Sequence, residues 1–231
     1  RAMNSDTRNF DCAGRSLVLD RPRIMGILNL TPDSFSDGGQ WLEKSKAVQH
    51  AVDMQQAGAD IIDVGGESTR PGAQTLPLQQ ELDRVIPVLE AIIPQLAVPG
   101  SIDTSKPEVM REAVAAGAGM INDVYALRQE GAIQAAVDLD VPVCLMHMSG
   151  APRVMQENPV YDDVYDEVST FLLEQAKLCE SAGIDRDNII LDPGFGFGKT
   201  LQHNIELFQK LPELVRGDYP VLVGVSRKAM I

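Results

Sequence analysis

The chain has 231 residues, 44% of them hydrophobic and 23% charged, enough for one packed α/β domain with a solvated surface. A formal net charge of −13 excludes a broad face for nucleic acid or anionic membrane, so an anionic ligand needs a locally positive pocket. No run approaches the roughly 20 apolar residues of a membrane helix, and the polar start carries no signal-peptide core.

In chain order, Arg1-Ala2-Met3 reads as a tag remnant, and residues 1–9 are expected to be tag or disordered. Residues 10–23 carry Ala13-Gly14 between short apolar patches and predict a small hairpin at the bottom of a barrel. Short apolar runs then recur at 24–30, 59–65, 98–103, 119–124, 142–148, 189–194 and 220–226, with helical patterns between them. That alternation is the signature of βα units on a parallel sheet. Several runs are apolar on successive residues, as suits strands buried on both faces. Helices are predicted over 44–57, 107–116 and 161–181, ending at Gly58, Gly117 and Gly183, with Ser105 as a cap before Pro107. No linker rich in Pro, Gly or Ser divides the chain, so 1–231 reads as a single domain.

Seven strand runs approach the eight of a parallel (β/α)8 TIM barrel, which takes about 250 residues. The eighth βα unit would need about 30–50 residues beyond Ile231. An open doubly wound sheet is the alternative, because spacing does not distinguish strands in a row from strands in a ring.

Each apolar run gives way to polar residues. The runs end in Asn29, Asp63, Asp103, Asn122-Asp123, His147, Asp192 and Ser226-Arg227-Lys228. In a parallel barrel these ends meet on the face where active sites are built. Asp and Asn also cap helices, which explains any one such residue without a ligand. Asp103 and Asp192 interrupt apolar runs rather than follow turns, and they carry the ligand reading best.

The loop from Asp192 to Thr200 looks like a phosphate-binding P-loop but has Pro193 where that motif needs glycine. Three scattered histidines (His50, His147 and His203) make no zinc site, and His147 reads as a rim or core residue. Magnesium held partly by a substrate's phosphates needs only one or two oxygen side chains, which Asn29 or Asp103 could supply. Three cysteines (Cys12, Cys144 and Cys179) form no CxxC, and a reducing cytoplasm is expected.

Taken together, these segments resemble the dihydropteroate synthases. The similar stretches are Asn29-Leu30-Thr31-Pro32-Asp33-Ser34-Phe35-Ser36-Asp37-Gly38-Gly39, then Asp63 to Gly72, then Ser101-Ile102-Asp103-Thr104-Ser105-Lys106. Ile121-Asn122-Asp123, Met146-His147-Met148, Asp192 to Lys199 and Ser226-Arg227-Lys228 continue the match, in the family's order, from about residue 24 to residue 231. The corrinoid methyltetrahydrofolate methyltransferases share the pterin pocket but lack the first two loops in this form.

The resemblance implies a folate-biosynthesis transferase. It would condense 6-hydroxymethyl-7,8-dihydropterin pyrophosphate with 4-aminobenzoate, and sulfonamides would mimic the latter. Asp103, Asn122, Asp192 and Lys228 would hold the pterin, with Met146, Phe197 and Gly224 around it. Asn29 would assist Mg2+ at the pyrophosphate. The loops carrying Asp33, Phe35 and Asp37, and Thr69, Arg70 and Pro71, would close over the aminobenzoate, which Ser226 would also meet. No side chain acts as a covalent nucleophile in this scheme. A homodimer is implied as well.

Two departures stand out. The family's serine after Ser-Arg-Lys is Ala229 here, which predicts weaker binding of the aromatic acid than in an Ala229→Ser variant. The family's Arg-x-His pair from the last strand has no counterpart before Ile231, so the resemblance implies poor pterin binding and negligible turnover for this stretch alone unless the natural protein continues. A corrinoid methyltransferase-like pterin binder and a truncated, non-catalytic pterin binder are the alternative readings.

Overall fold

The structure is a computed structural model that describes residues 7–30, 40–69, 74–149, 159–226 and 228. Strands β1 (Asn9–Cys12) and β2 (Arg15–Val18) pair antiparallel as a hairpin, which starts at residue 9, inside the stretch expected to be tag or disordered, and ends before residue 23. Ala13 and Gly14 both take positive φ, 54° and 84°, the twist that suits a two-residue loop between strands. Asp11 Oδ1 accepts the Gly14 N–H at 2.6 Å.

Six parallel strands come next: β3 (Met25–Asn29), β4 (Ile61–Gly65), β5 (Gly100–Asp103), β6 (Ile121–Asp123), β7 (Val143–Met146) and β8 (Ile189–Asp192). Between and after them run α1 (Gln40–Gln56), α2 (Leu78–Ile92), α3 (Pro107–Ala115), α4 (Ala132–Leu139), α5 (Val164–Ala182) and α6 (Leu201–Val215). The strands lie side by side in chain order. Right-handed crossovers along an order that never reverses put every helix on the same face. A doubly wound sheet needs a point where the order reverses, and the sheet of the described residues has none.

The seventh run is thinner than expected. Among the described residues of 220–226, Val221 makes a single parallel bridge to Leu191. Leu191 N–H donates to Pro220 O at 2.9 Å, and Leu222 N–H to Leu191 O at 2.8 Å. The segment thus lies at the β8 edge, where a seventh barrel strand belongs.

Helix ends differ in detail from those the sequence predicts. α1 starts at Gln40 rather than 44, and α5 at Val164 rather than 161, where the Asp163 carboxylate accepts the Asp166 N–H at 2.9 Å. Ser105 does not cap α3. Its hydroxyl donates to Asp123 Oδ1 at 2.5 Å, because the neighbouring strand offers a charged acceptor, and the cap residue is Lys106. Gly58, Gly117 and Gly183 are left-handed as expected.

Alternate strand residues face opposite sides of the sheet. Ile62, Val64, Ile102, Ile121, Leu145 and Leu191 join the main core beneath the helices. Ile61, Met120, Cys144 and Ile190, of the other parity, pack with Phe10, Cys12 and Leu17 of the hairpin. The inner face is therefore plugged at its N-terminal end. Gly119 permits that closeness, since a Cβ there would lie 2.3 Å from the Cys12 carbonyl oxygen. All three cysteines are buried and free.

Candidate active site at the strand ends

Beyond this apolar plug, each inner-face column turns polar. Register pairs Asp63 with Ser101, Gly65 with Asn29 and Asp103, Asp103 with Asn122, and Met146 with Asp192. Side chains at paired positions share a face, and so do residues two apart. Asn29, Asp63, Asp103, Asn122, Met146 and Asp192 therefore project into one interior. Asp103, Asn122, Phe197 and Lys228 keep part of their surface accessible, so they border open space rather than a sealed core.

Asp123 has the opposite parity. It is buried on the helix side and accepts from Ser105 Oγ and from the Tyr125 and Leu127 N–H groups, the latter two at 2.9 Å. Those bonds hold a loop in which Ala126 and Leu127 take positive φ. Asp123 thus serves local backbone structure rather than a ligand, though it ties a turn and caps no helix, since the N-cap of α4 is Gly131; Asn122 is the residue that faces inward.

Asp63 is buried and takes the Asn122 amide N–H on Oδ2 at 3.1 Å. Its Oδ1 has no hydrogen-bond partner, nor has Ser101 Oγ beside it. Burial pushes the Asp63 carboxyl up from its ordinary range, countered in part by the Ser101 hydroxyl and the Asn122 amide. The hydroxyl thus acts from close by, without hydrogen-bond geometry. Asp103 is raised further, first by burial and then by the charges of Asp63, Asp123, Glu81 and Glu67. Crowded carboxylates short of donors make the interior a receptor for a group rich in N–H donors.

Asp192, also buried, accepts the Gly194 N–H on Oδ1 at 2.8 Å. Burial raises its pKa, and the Gly194 N–H and the Lys228 and Lys199 charges pull the other way. Lys228 Nζ donates to Phe195 O at 2.6 Å and sits 4.6 Å from the Phe197 ring centre, within cation–π range. Gly224 lies close by, where a Cβ would come 3.3 Å from Lys228 Nζ. Phe197 packs with Met146, Met148, Val124 and Tyr125 in a small apolar cluster beside these charges. A flat ring with a polar edge fits such a combination.

Lys199 is turned inward onto its own loop. Its Nζ donates to Gly194 O at 2.9 Å and Phe197 O at 3.1 Å, and lies 3.0 Å from His147 Nδ1. Burial lowers its pKa to about 7. His147, buried against Phe171 and Tyr161, is pushed down to about 3 by burial and by the Lys199 and Arg128 charges. It is a core histidine, one of the two places the sequence allowed it.

Sequence reasoning missed a second charged group beside this site. Glu81 of α2 is buried and accepts from Thr104 Oγ1 at 3.2 Å and from Lys106 Nζ at 3.1 Å, while Lys106 Nζ reaches Glu67 Oε2 at 2.6 Å. Burial pulls the Lys106 pKa down, but the bond to Glu67 and the Glu81 and Glu67 charges outweigh it, and the net shift is upward. The group ties the loop after β4, which leads to half-buried Thr69, onto the end of β5. Nothing in local pattern marks Glu81, which sits within an ordinary amphipathic helix.

Of the other expected site residues, Ser226 is exposed in a turn at the end of the seventh run. Asp33, Phe35, Asp37, Arg70, Pro71 and Ala229 lie outside the described residues. The described residues contain no cluster of three acidic, His or Cys side chains fit to hold a metal by themselves. Asn29, exposed at the rim, suits an ion that takes its remaining ligands from a substrate's phosphates. A cleft of about 460 Å3 between the β6–α4 loop, α4 and α5 is lined by Leu127, Arg128, Gln134, Gln175 and Leu178 and lies apart from the strand-end carboxylates.

Residues 25–231 match the family described as pterin binding enzyme. Dihydropteroate synthase of Escherichia coli strain K12 is 56% identical over 218 residues, spanning 94% of this chain and 77% of that protein. Dihydropteroate synthase of Xanthomonas albilineans with 4-aminobenzoic acid superposes with a TM-score of 0.90 at 56% identity, covering 97% of this chain and 80% of that one. The same organism's enzyme in complex with 7,8-dihydropteroate gives a TM-score of 0.84 at 52% identity, covering 96% and 79%. The TIM barrel of these neighbours is the fold of this chain. The chain belongs to the dihydropteroate synthases, transferases within the pterin-binding enzyme family.

Proposed function

We propose that the chain joins 6-hydroxymethyl-7,8-dihydropterin pyrophosphate to 4-aminobenzoate, giving 7,8-dihydropteroate and pyrophosphate, a step of folate biosynthesis. The observation that carries the reading is the shared inner face of Asp103, Asn122 and Asp192. A pterin presents a 2-amino group and a ring N–H along one edge, and carboxylates crowded by burial are matched to such donors. Phe197 and Met146 supply apolar contact for the ring, and Lys228 supplies positive charge beside it.

In the reaction the bond between the pterin methylene carbon and the pyrophosphate oxygen breaks, and the electron pair leaves with pyrophosphate. The amine nitrogen of 4-aminobenzoate forms the new bond and gives up one proton. Asp103 and Asp192, held near the ring, favour positive charge that develops on it. Asn29 would help to hold Mg2+, which would supply charge neutralisation for the leaving group. The loops bearing Asp33, Phe35 and Asp37 and Thr69, Arg70 and Pro71 would cover the aminobenzoate, which sulfonamides would displace.

Free buried thiols support a cytoplasmic site of action. Leu201, Ile205, Phe208 and Val215 expose an apolar stripe on α6 that supports a homodimer. Release of pyrophosphate from the pterin substrate, measured with and without 4-aminobenzoate, tests the activity. Release that requires the amine is the expected result, and release at an equal rate without it would refute the activity. A corrinoid-type pterin binder would show no such dependence.

A further inference from the structure

We infer that Asp63 is a positioning residue that fixes the amide of Asn122, so that the site presents a carbonyl oxygen, rather than an NH2 group, to the heterocycle. The inference rests on the pterin reading of the site and deepens it. An amide side chain has an acceptor end and a donor end of nearly the same shape. Left alone at the rim, Asn122 could offer either. Asp63 removes the choice, because a carboxylate oxygen accepts only from the NH2 end, and that bond is made at 3.1 Å.

Asp63 sits two residues before Gly65, on the same face as Asp103 and Asn122 but one layer deeper. It is 2% exposed, and a ligand at the mouth would meet Asn122 first. Its second oxygen, Oδ1, is buried without a partner, as is Ser101 Oγ of the paired position. A carboxylate placed there for stability alone would be satisfied on both oxygens, since an unmade buried hydrogen bond is costly. Among the described residues Asn122 is the one partner that its side chain meets with hydrogen-bond geometry, the Ser101 hydroxyl lying close by. With the amide so turned, Asn122 adds a third acceptor to those of Asp103 and Asp192, and a ligand with a row of N–H donors is selected over one that offers carbonyl oxygens there.

The test is equilibrium titration of 6-hydroxymethylpterin into the full chain, with thermal unfolding recorded on each variant. Asp63→Asn should weaken binding by about tenfold or more, because a second amide no longer enforces the orientation. The exchanged pair, Asp63→Asn with Asn122→Asp, should return affinity to within about threefold of the parent. In that pair the carboxylate at position 122 must present an acceptor, and the amide at position 63 can donate to it. Parent-like affinity in Asp63→Asn, or an exchanged pair no tighter than the single variant, overturns the proposal. Should Asp63→Asn not fold, Asn122→Ala is compared with Asn122→Ala plus Asp63→Ser. Equal affinities are expected, and a further loss shows that Asp63 acts other than through Asn122. Failure of the parent chain to bind the pterin refutes the pterin reading itself and is thereby distinguished from failure of the positioning role.

Discussion

Lys199 Nζ lies 3.0 Å from His147 Nδ1, so two buried bases meet at hydrogen-bond distance where two positive charges would be costly. The pair closes the loop after β8 onto the end of β7. His147 is held neutral, with its pKa near 3 against an ordinary value of 6.5.

That shift has a signed consequence. Between pH 6.5 and about 3 the unfolded chain binds a proton at residue 147 that the folded chain refuses. The stability this group contributes is whole above pH 6.5 and is lost as pH falls through the window, by at most about 1.4 kcal/mol per pH unit. His147→Asn keeps an acceptor for Lys199 and cannot titrate. Urea unfolding of both proteins at several pH values should show a difference that narrows or inverts toward acid. Parallel curves would show that His147 protonates freely in the native state.

Gly194→Ala should be costly. Its φ is +70°, and an added Cβ would stand 1.9 Å from the His147 carbonyl oxygen. Left-handed strain together with forced backbone movement should remove about 2–4 kcal/mol of stability. Pterin affinity should fall as well, because the Gly194 N–H holds Asp192 Oδ1. Denaturation and ligand titration on one preparation check both, and parent-like values in either would contradict the close approach.

Lys106→Met leaves Glu81 buried with Thr104 as its remaining hydrogen-bond partner among the described residues. A loss of about 2 kcal/mol near neutral pH is expected, below the full cost of a deeply buried pair because the lysine is partly exposed. Burial already raises the Glu81 pKa. A group raised in the folded state favours folding when protonated and loses that advantage as pH climbs through its folded pKa. The deficit of the variant should therefore shrink toward acid pH and grow toward neutral, as read by thermal unfolding across roughly pH 4 to 8.

Asp192→Ala and Arg70→Ala should separate binding from turnover. Removing Asp192 strands the pterin donors and leaves Lys228 and Lys199 without a countercharge, at about 2–4 kcal/mol in pterin affinity. For Arg70, which the proposed function assigns to the second substrate, the loss should fall chiefly on kcat or on the KM for 4-aminobenzoate. Pterin titration of the two variants decides, and an equal loss of pterin affinity in both would defeat this division of roles.

The sequence by itself determined the βα repeat, the hairpin around Ala13-Gly14, and the polar residues waiting at each strand end. These arise from short-range causes: apolar runs, glycine at helix ends, and an Asp or Asn where an apolar run stops. It also carried the family, since the matching segments are contiguous. The resemblance singled out Asn122 over the adjacent Asp123, and the tertiary structure supplied the physical reason, because one residue of register reverses the side a strand residue points to. Only the tertiary structure turned Lys199 onto its own loop and brought Glu81 to Lys106 from a different element, pairings fixed by packing rather than by local pattern. And it showed Asp63 beneath Asn122, a relation between strands β4 and β6, which flank β5 and hold residues 59 positions apart, and which no local pattern encodes.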